Sequence, residues 1–226
     1  MNPAGQNQRM TSTYPNPETA ALDAEFMSLR ERLAERAPLF GGRDTGDHVL
    51  NPDMGPYAKA KGAPKDAAVL IPIIRDMDGA AVLLTQRTAH LSAHAGQIAF
   101  PGGKIDPEDG TPERAALREA EEEIGLASNE VQLIGNLAPY LTGSGYKIIP
   151  VVAELETRPR LKANPNEVAD IFEVPLSFLM NPANHETHSR VWQGYRRYFY
   201  AMPYQERYIW GVTAGIIRSL YDTVYA

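Results

Sequence analysis

A chain of 226 residues with 43% hydrophobic content can bury a full core, and it reads as one large domain with an N-terminal extension. It has no cysteine, which excludes disulfides, thiolate nucleophiles and thiolate metal sites, and no run of 18 apolar residues that would span a bilayer. A net charge of −6 speaks against broad binding to nucleic acid or to an anionic membrane, so an anionic substrate would need metal and local Arg or Lys to offset the repulsion.

The first stretch, MNPAGQNQRMTSTYPNP, has no apolar leader, which points to the cytoplasm. Residues 1–16 are rich in Asn, Pro, Gln, Ser and Thr and are expected to form a disordered tail. Residues 17–66 are expected to form an N-terminal helix and an irregular connector. Asn16 is a suitable N-cap with Pro17 at the first helical position, and Leu22, Phe26, Leu29 and Leu33 recur at helical spacing. This amphipathic helix would cover an edge of the domain or a partner subunit. Pro38, Gly41, Gly42, Pro52, Gly55, Pro56, Gly62 and Pro64 then interrupt any long element.

The main domain is expected over 67–226. Residues 67–76 and 80–87 are aliphatic runs separated by Met77, Asp78 and Gly79, the pattern of a core β-hairpin. Pro72 suggests that the first strand lies near an edge or a bulge. A short strand is expected over 98–100, preceded by His90 and His94, either of which could contact phosphate, transfer a proton or simply hydrogen-bond within a loop.

Pro101, Gly102 and Gly103 form a turn suited to glycine. Thr111 is a plausible N-cap, Pro112 suits the first helical position, and Gly125 suits the stop, predicting a helix over 112–124. At about 100° per residue, Glu119, Glu122 and Glu123 share one face, with Leu117, Ala120 and Ile124 on a neighbouring apolar arc. Like charges at these spacings repel, so the convergence suggests a hard cation, Mg²⁺ or Mn²⁺; a solvated acidic face is the plain alternative.

Strands are predicted over 131–138 and 147–156. Between them lies a turn-rich loop whose Tyr140 or Tyr146 could stack on a ring or serve in packing. Glu167 is placed on a turn before a strand over 170–174 and a short helix, either exposed or as a further metal-site acid. A hairpin around Gln193 and Gly194 carries Arg190, Arg196 and Arg197, which could hold a phosphate or form an ordinary half-exposed strand. A C-terminal amphipathic helix closes the chain, with Trp210, Ile217, Leu220 and Tyr221 read as core.

From Gly103 through Arg118, Glu119, Glu122, Glu123 and Gly125 to Leu126, the chain resembles the Nudix hydrolases, whose pattern is G-x5-E-x7-R-E-U-x-E-E-x-G-U. The spacing from Gly103 to Arg118 is one residue longer, the loop glutamate gives way to Asp106 and Asp109, and Ala120 is small for its aliphatic slot. The first two departures resemble the coenzyme A diphosphatase branch, as do Leu83, Leu84, Thr85, Arg87, Gly96, Phe100, Pro101, Gly102 and Gly103 in the upstream signature of that branch. Thr88 stands where Ser or Ala is expected there, and Ser92 where Arg is expected.

The resemblance implies an α/β fold with a mixed β-sheet sandwiched between helices. It also implies metal-dependent hydrolysis of a diphosphate bond, with coenzyme A giving 3′,5′-ADP and 4′-phosphopantetheine. A Nudix hydrolase for ADP-ribose or a dinucleotide such as NADH, and a non-catalytic nucleotide-binding Nudix domain, are the alternatives. Glu119, Glu122 and Glu123, with the Gly103 carbonyl, are the expected metal ligands. Glu119, Glu122, Glu167 and Arg118 are the expected catalytic residues, the base being Glu119 or Glu167. Arg118 is expected to orient a glutamate by a bidentate ion pair or to contact phosphate. Arg87, Lys104 and His94 are the expected substrate contacts. The expected partners are a small-molecule nucleotide, coenzyme A or a derivative, and a second copy in a homodimer; nucleic acid and membrane are not expected.

Overall fold

The computed structural model describes residues 29–36, 45–52, 63–75, 79–90, 94–192 and 194–225. The expected tail, the cap at Asn16 and Pro17, Leu22, Phe26, most of the turn at 77–79, Ser92 and Gln193 lie outside the described residues.

Two long strands form the centre. Strand β2 (Lys65–Ile74) runs parallel to β8 (Tyr146–Leu155) along its full length, from Lys65 opposite Tyr146 to Ile74 opposite Leu155. The described part of the main sheet runs β1 (Thr45–Gly46), β7 (Tyr140–Leu141), β8, β2, β3 (Ala81–Arg87), β4 (Ile98–Ala99). Strands β5 (Gly102–Lys104), β6 (Gln132–Asn136) and β9 (Val168–Pro175) pair with β2, β8 and β3. Parallel pairing at β2–β8 and β1–β7 with antiparallel pairing elsewhere makes the sheet mixed. Strand β2 starts two residues before the domain start expected at 67, and Thr45–Gly46 brings part of the expected connector into the sheet.

Pro72 is in the middle of the sheet, opposite Ala153 of β8, and not at its edge. It is tolerated because the other side of β2 changes partner there. Residues Ala67, Ala68 and Val69 pair with β5, and Ile73 and Ile74 pair with β3. Leu70 donates its N–H across that side to the Pro101 carbonyl, so by alternation the absent N–H of Pro72 faces the gap between the two pairings.

Alternation along the strands gives each face its own core. Ile71, Ile73, Val82, Leu84 and Val152 pack on Leu29 and Leu33 of the helical segment 29–36, and on Ile216, Ile217, Leu220 and Val224 of the C-terminal helix (Val212–Tyr225). Ala68, Leu70, Leu83, Val151 and Ala153 pack on Ala115, Ala116, Ala120 and Ile124 of α1 (Pro112–Ile124). Helices on both faces of a mixed sheet give the α/β/α sandwich. A second, antiparallel sheet is formed by β10 (Glu186–Trp192), β11 (Tyr195–Tyr204) and β12 (Arg207–Trp210), the expected hairpin with one added strand. Arg207 ties it to the main sheet, donating to Gln86 and Asp170 with its guanidinium over the Phe172 ring. Among the described residues no helix is long and apolar enough to cross a membrane.

Candidate active site

Helix α1 has the predicted bounds, and its caps explain them. The Thr111 hydroxyl accepts the Arg114 N–H at 3.3 Å, Pro112 fills the first turn, and Gly125 stops the helix at φ 69°. Its C-terminal carbonyls do not end in solvent. The N–H of Lys162 reaches the Ile124 carbonyl at 2.9 Å, and that of Asn164 reaches the Glu123 carbonyl at 2.8 Å. The chain after β8 therefore crosses the end of the helix before it turns into β9 at Glu167.

The small alanines on the buried side of α1 let it lie close to the sheet, and the Gly102–Gly103 stretch of β5 meets its glutamates. Gly102 donates its N–H to Glu123 Oε2 at 3.2 Å, and Arg87, at the end of β3, donates to Glu123 Oε1 at 3.4 Å. A Cβ on Gly103 would lie 2.4 Å from the Glu119 carboxyl carbon, so the missing side chain is the space that Glu119 occupies.

Glu123 is 2% exposed, and burial first pushes its carboxyl up to about 7. The Gly102 N–H and the Arg87 charge pull the other way, while the charges of Glu119 and Glu167 add to the rise. Glu119 is also raised by burial, countered by Arg118 and reinforced by Glu122 and Glu167. The ionised forms of Glu119 and Glu123 are thus opposed by burial and by each other's charge across a partly buried space, an arrangement that marks candidate functional sites.

Arg118 organises the rim. It binds Asp109 through two hydrogen bonds, Nε to Oδ1 at 2.9 Å and Nη2 to Oδ2 at 3.0 Å. Its Nη1 reaches Glu119 Oε1 at 2.9 Å and Glu122 Oε2 at 3.4 Å, and its Nη2 reaches the Lys104 carbonyl at 3.2 Å. The bidentate pair expected with a glutamate is made instead with Asp109, while Glu119 receives a single bond. Asp109 is buried, accepts the Asp106 N–H at 2.8 Å, and is held at about 2 chiefly by the Arg118 hydrogen bond. The D-x-x-D spacing before the helix was its sequence signal.

The other expected residues are placed less centrally. The Glu122 side chain is 56% exposed on the solvent side of Arg118. The side chain of Lys104 is exposed, and His94 is exposed in the β3–β4 loop at φ 58° with its ring on Gln97 at 2.8 Å. Tyr140 is a packing residue: it is 5% exposed and donates to Asp47 at 2.9 Å. On the second sheet, Arg196 donates to Ser189, and Arg190 stands opposite Arg197 in register.

Among the described residues, no three His, Cys, Asp or Glu side chains form a ready-made metal cage. A hard divalent ion such as Mg²⁺ does not require one, since it takes one or two carboxylates and completes its shell with water and phosphate oxygens. Glu119 and Glu123 fit that requirement: both are oxygen donors, and both carry a raised carboxyl that a nearby cation would relieve.

A sequence profile of the NUDIX domain matches residues 64–194. Over 162 residues the chain is 46% identical to the protein of Photorhabdus laumondii named "Uncharacterized Nudix hydrolase NudL", covering 71% of this chain and 85% of the relative. A protein of the same name from Yersinia pestis is 42% identical over 158 residues, 70% of this chain and 79% of its own. Among solved structures, a Nudix hydrolase from M. smegmatis, RenU, shares 30% identity at a TM-score of 0.44, covering 51% of this chain and 73% of that one.

Proposed function

This chain belongs to the Nudix hydrolase family, enzymes that act on pyrophosphate bonds of nucleoside diphosphate derivatives and generally use divalent metal ions, and on that footing we propose that its substrate is coenzyme A. The products are then 3′,5′-ADP and 4′-phosphopantetheine. One observation carries the reading. The segment that resembles the coenzyme A branch, Leu83 to Gly103, brings Arg87, Gly102 and Gly103 directly onto Glu123 and Glu119 of the helix. The two halves of the resemblance therefore meet in one site.

Mg²⁺ or Mn²⁺ would be held by Glu119 and Glu123, with the Gly103 carbonyl and, from the solvent side, Glu122. When bound, the cation neutralises diphosphate oxygens that would otherwise repel an attacking water. Arg118, anchored on Asp109, holds Glu119 in place, which favours Glu119 as a ligand and leaves Glu167 as the base. The water oxygen attacks phosphorus, its proton passes to Glu167, and the bridging P–O bond breaks, giving two phosphomonoesters. Lys104, Arg87 and His94 contact the substrate, Arg87 while also holding Glu123.

A panel of coenzyme A, ADP-ribose, NADH and dNTPs, assayed with Mg²⁺ and with Mn²⁺ and with products identified, tests this. Preferential cleavage of coenzyme A to the two named products is expected. Preference for ADP-ribose or NADH would overturn the coenzyme A assignment and point to Ser92 as the departure that matters, and binding without turnover would make the chain a non-catalytic nucleotide-binding domain.

A further inference from the structure

We infer that Asn164 is a positioning residue that aims the Glu167 carboxylate, with Thr88 bracing the same turn from the opposite side. The inference rests on the reading of Glu167 as the base. Asn164 uses every polar group it has. Its backbone N–H caps the Glu123 carbonyl at 2.8 Å, and its own carbonyl accepts the N–H groups of Glu167 at 3.0 Å and Val168 at 2.8 Å. Its Oδ1 accepts the Asn166 N–H at 3.1 Å. That contact fixes the amide orientation, because only the oxygen can accept, and so the amide nitrogen faces Glu167 Oε1 at 3.5 Å. One residue thus ties the end of the glutamate helix to the turn that carries Glu167.

Thr88 holds the other side. It follows Arg87 at the end of β3, is 6% exposed, and donates its N–H to the Glu167 carbonyl at 2.9 Å and its hydroxyl to the Asn166 carbonyl at 3.2 Å. The Glu167 turn is therefore clamped between the helix that supplies Glu123 and the strand that supplies Arg87. A glutamate on an unclamped turn would sample many rotamers; here the backbone is fixed at both ends and the amide places one long donor contact on the carboxylate.

The test is a double-mutant cycle on the full chain with Asn164→Ser and Glu167→Gln, using the best substrate of the panel above. Serine keeps an oxygen that can accept the Asn166 N–H but, one atom shorter and with a single hydroxyl, removes the amide nitrogen that reaches Glu167. The expected result is a kcat lowered roughly threefold to tenfold with KM within about twofold, and no further loss when Asn164→Ser is added to Glu167→Gln. Thr88→Val should show a smaller loss with the same lack of additivity. A second readout needs no turnover: the side-chain amide resonance of Asn164, assigned by its loss in Asn164→Ser, should shift in Glu167→Gln. An equal loss of kcat in both backgrounds, or an unmoved amide resonance, overturns the inference. If Glu167→Gln keeps full activity, the base assignment falls and the positioning role with it, whereas an inactive Glu167→Gln beside a fully active Asn164→Ser sinks the positioning role alone.

Discussion

The two faces of the main sheet are built to different ends. One packs Ile71, Ile73, Val82, Leu84 and Val152 against Leu29, Leu33, Ile216, Ile217, Leu220 and Val224, large aliphatic groups, and the buried Glu154 on this face is paired with Arg75 at 3.0 Å. The other packs Ala68, Leu70, Leu83 and Ala153 against Ala115, Ala116 and Ala120, and at its margin buries Glu123. Alanines give up apolar area, but they let helix and sheet backbones approach until a Gly102 N–H reaches a helix glutamate. The aliphatic face stores stability, and the alanine face spends some of it on a crowded set of carboxylates. Four outcomes would break or sharpen that contrast.

The largest effect belongs to the carboxylates. Glu119→Gln and Glu123→Gln, each folded, are expected to lower kcat/KM by roughly a thousandfold, about 4 kcal/mol of transition-state stabilisation, and to weaken Mg²⁺ binding measured by calorimetry. Retained turnover and retained metal affinity would show that the acidic face is only a solvated surface.

Next comes the cost of burying Glu123. A carboxyl raised to about 7 in the folded chain from an ordinary 4.5 stabilises the fold below pH 4.5, and that contribution fades as pH rises through 7. Metal-free protein should therefore lose up to about 3 kcal/mol of stability between pH 4.5 and 8 from this group. Chemical denaturation of Glu123→Gln across the same range should show a correspondingly flatter profile. An identical pH slope in wild type and variant would contradict the buried-charge account.

The aliphatic face should answer to volume instead. A Cβ at Gly215 of the C-terminal helix would fall 2.1 Å from the hydroxyl of Tyr140, which is held by Asp47. Gly215→Ala is expected to cost about 2 kcal/mol of stability by overpacking, with kcat nearly unchanged. A large loss of kcat at unchanged stability would mean that the faces are not separable.

The smallest effect is at the rim. Asp109→Asn keeps the shape but removes the charge that anchors Arg118, and a loss of roughly tenfold in kcat is expected as Glu119 loosens. In wild type, the depressed Asp109 carboxyl contributes stability present above pH 3.8 and lost as pH falls towards 2, so acid titration of the variant should lack that component.

Local signals carried most of the fold. Helix α1 could be read from Thr111, Pro112 and Gly125 because caps act within a few residues, and the shared face of Glu119, Glu122 and Glu123 follows from helical pitch alone. Pro72 was misplaced because its tolerance depends on a change of partner strand on one side of β2, which no local pattern records. Within the site, periodicity put Glu122 and Glu123 almost side by side. The tertiary structure separated them, leaving one 56% exposed beside Arg118 and the other buried against Gly102.

By itself the sequence determined which residues could serve: three carboxylates on one helical face, a Gly-Gly step of fixed offset, read as a turn and folded as strand β5, and an acidic D-x-x-D loop. These are consequences of helical pitch, glycine's missing side chain and charge, all of short range. Only the tertiary structure decided which carboxylate is buried, that Arg118 anchors on Asp109, and that Asn164 and Thr88 close on the Glu167 turn. Asn164 is three positions from Glu167, but the contacts of Arg118 with Asp109, Asn164 with Glu123 and Thr88 with Glu167 join residues 9, 41 and 79 positions apart, and their energies depend on how closely helix, sheet and loop pack.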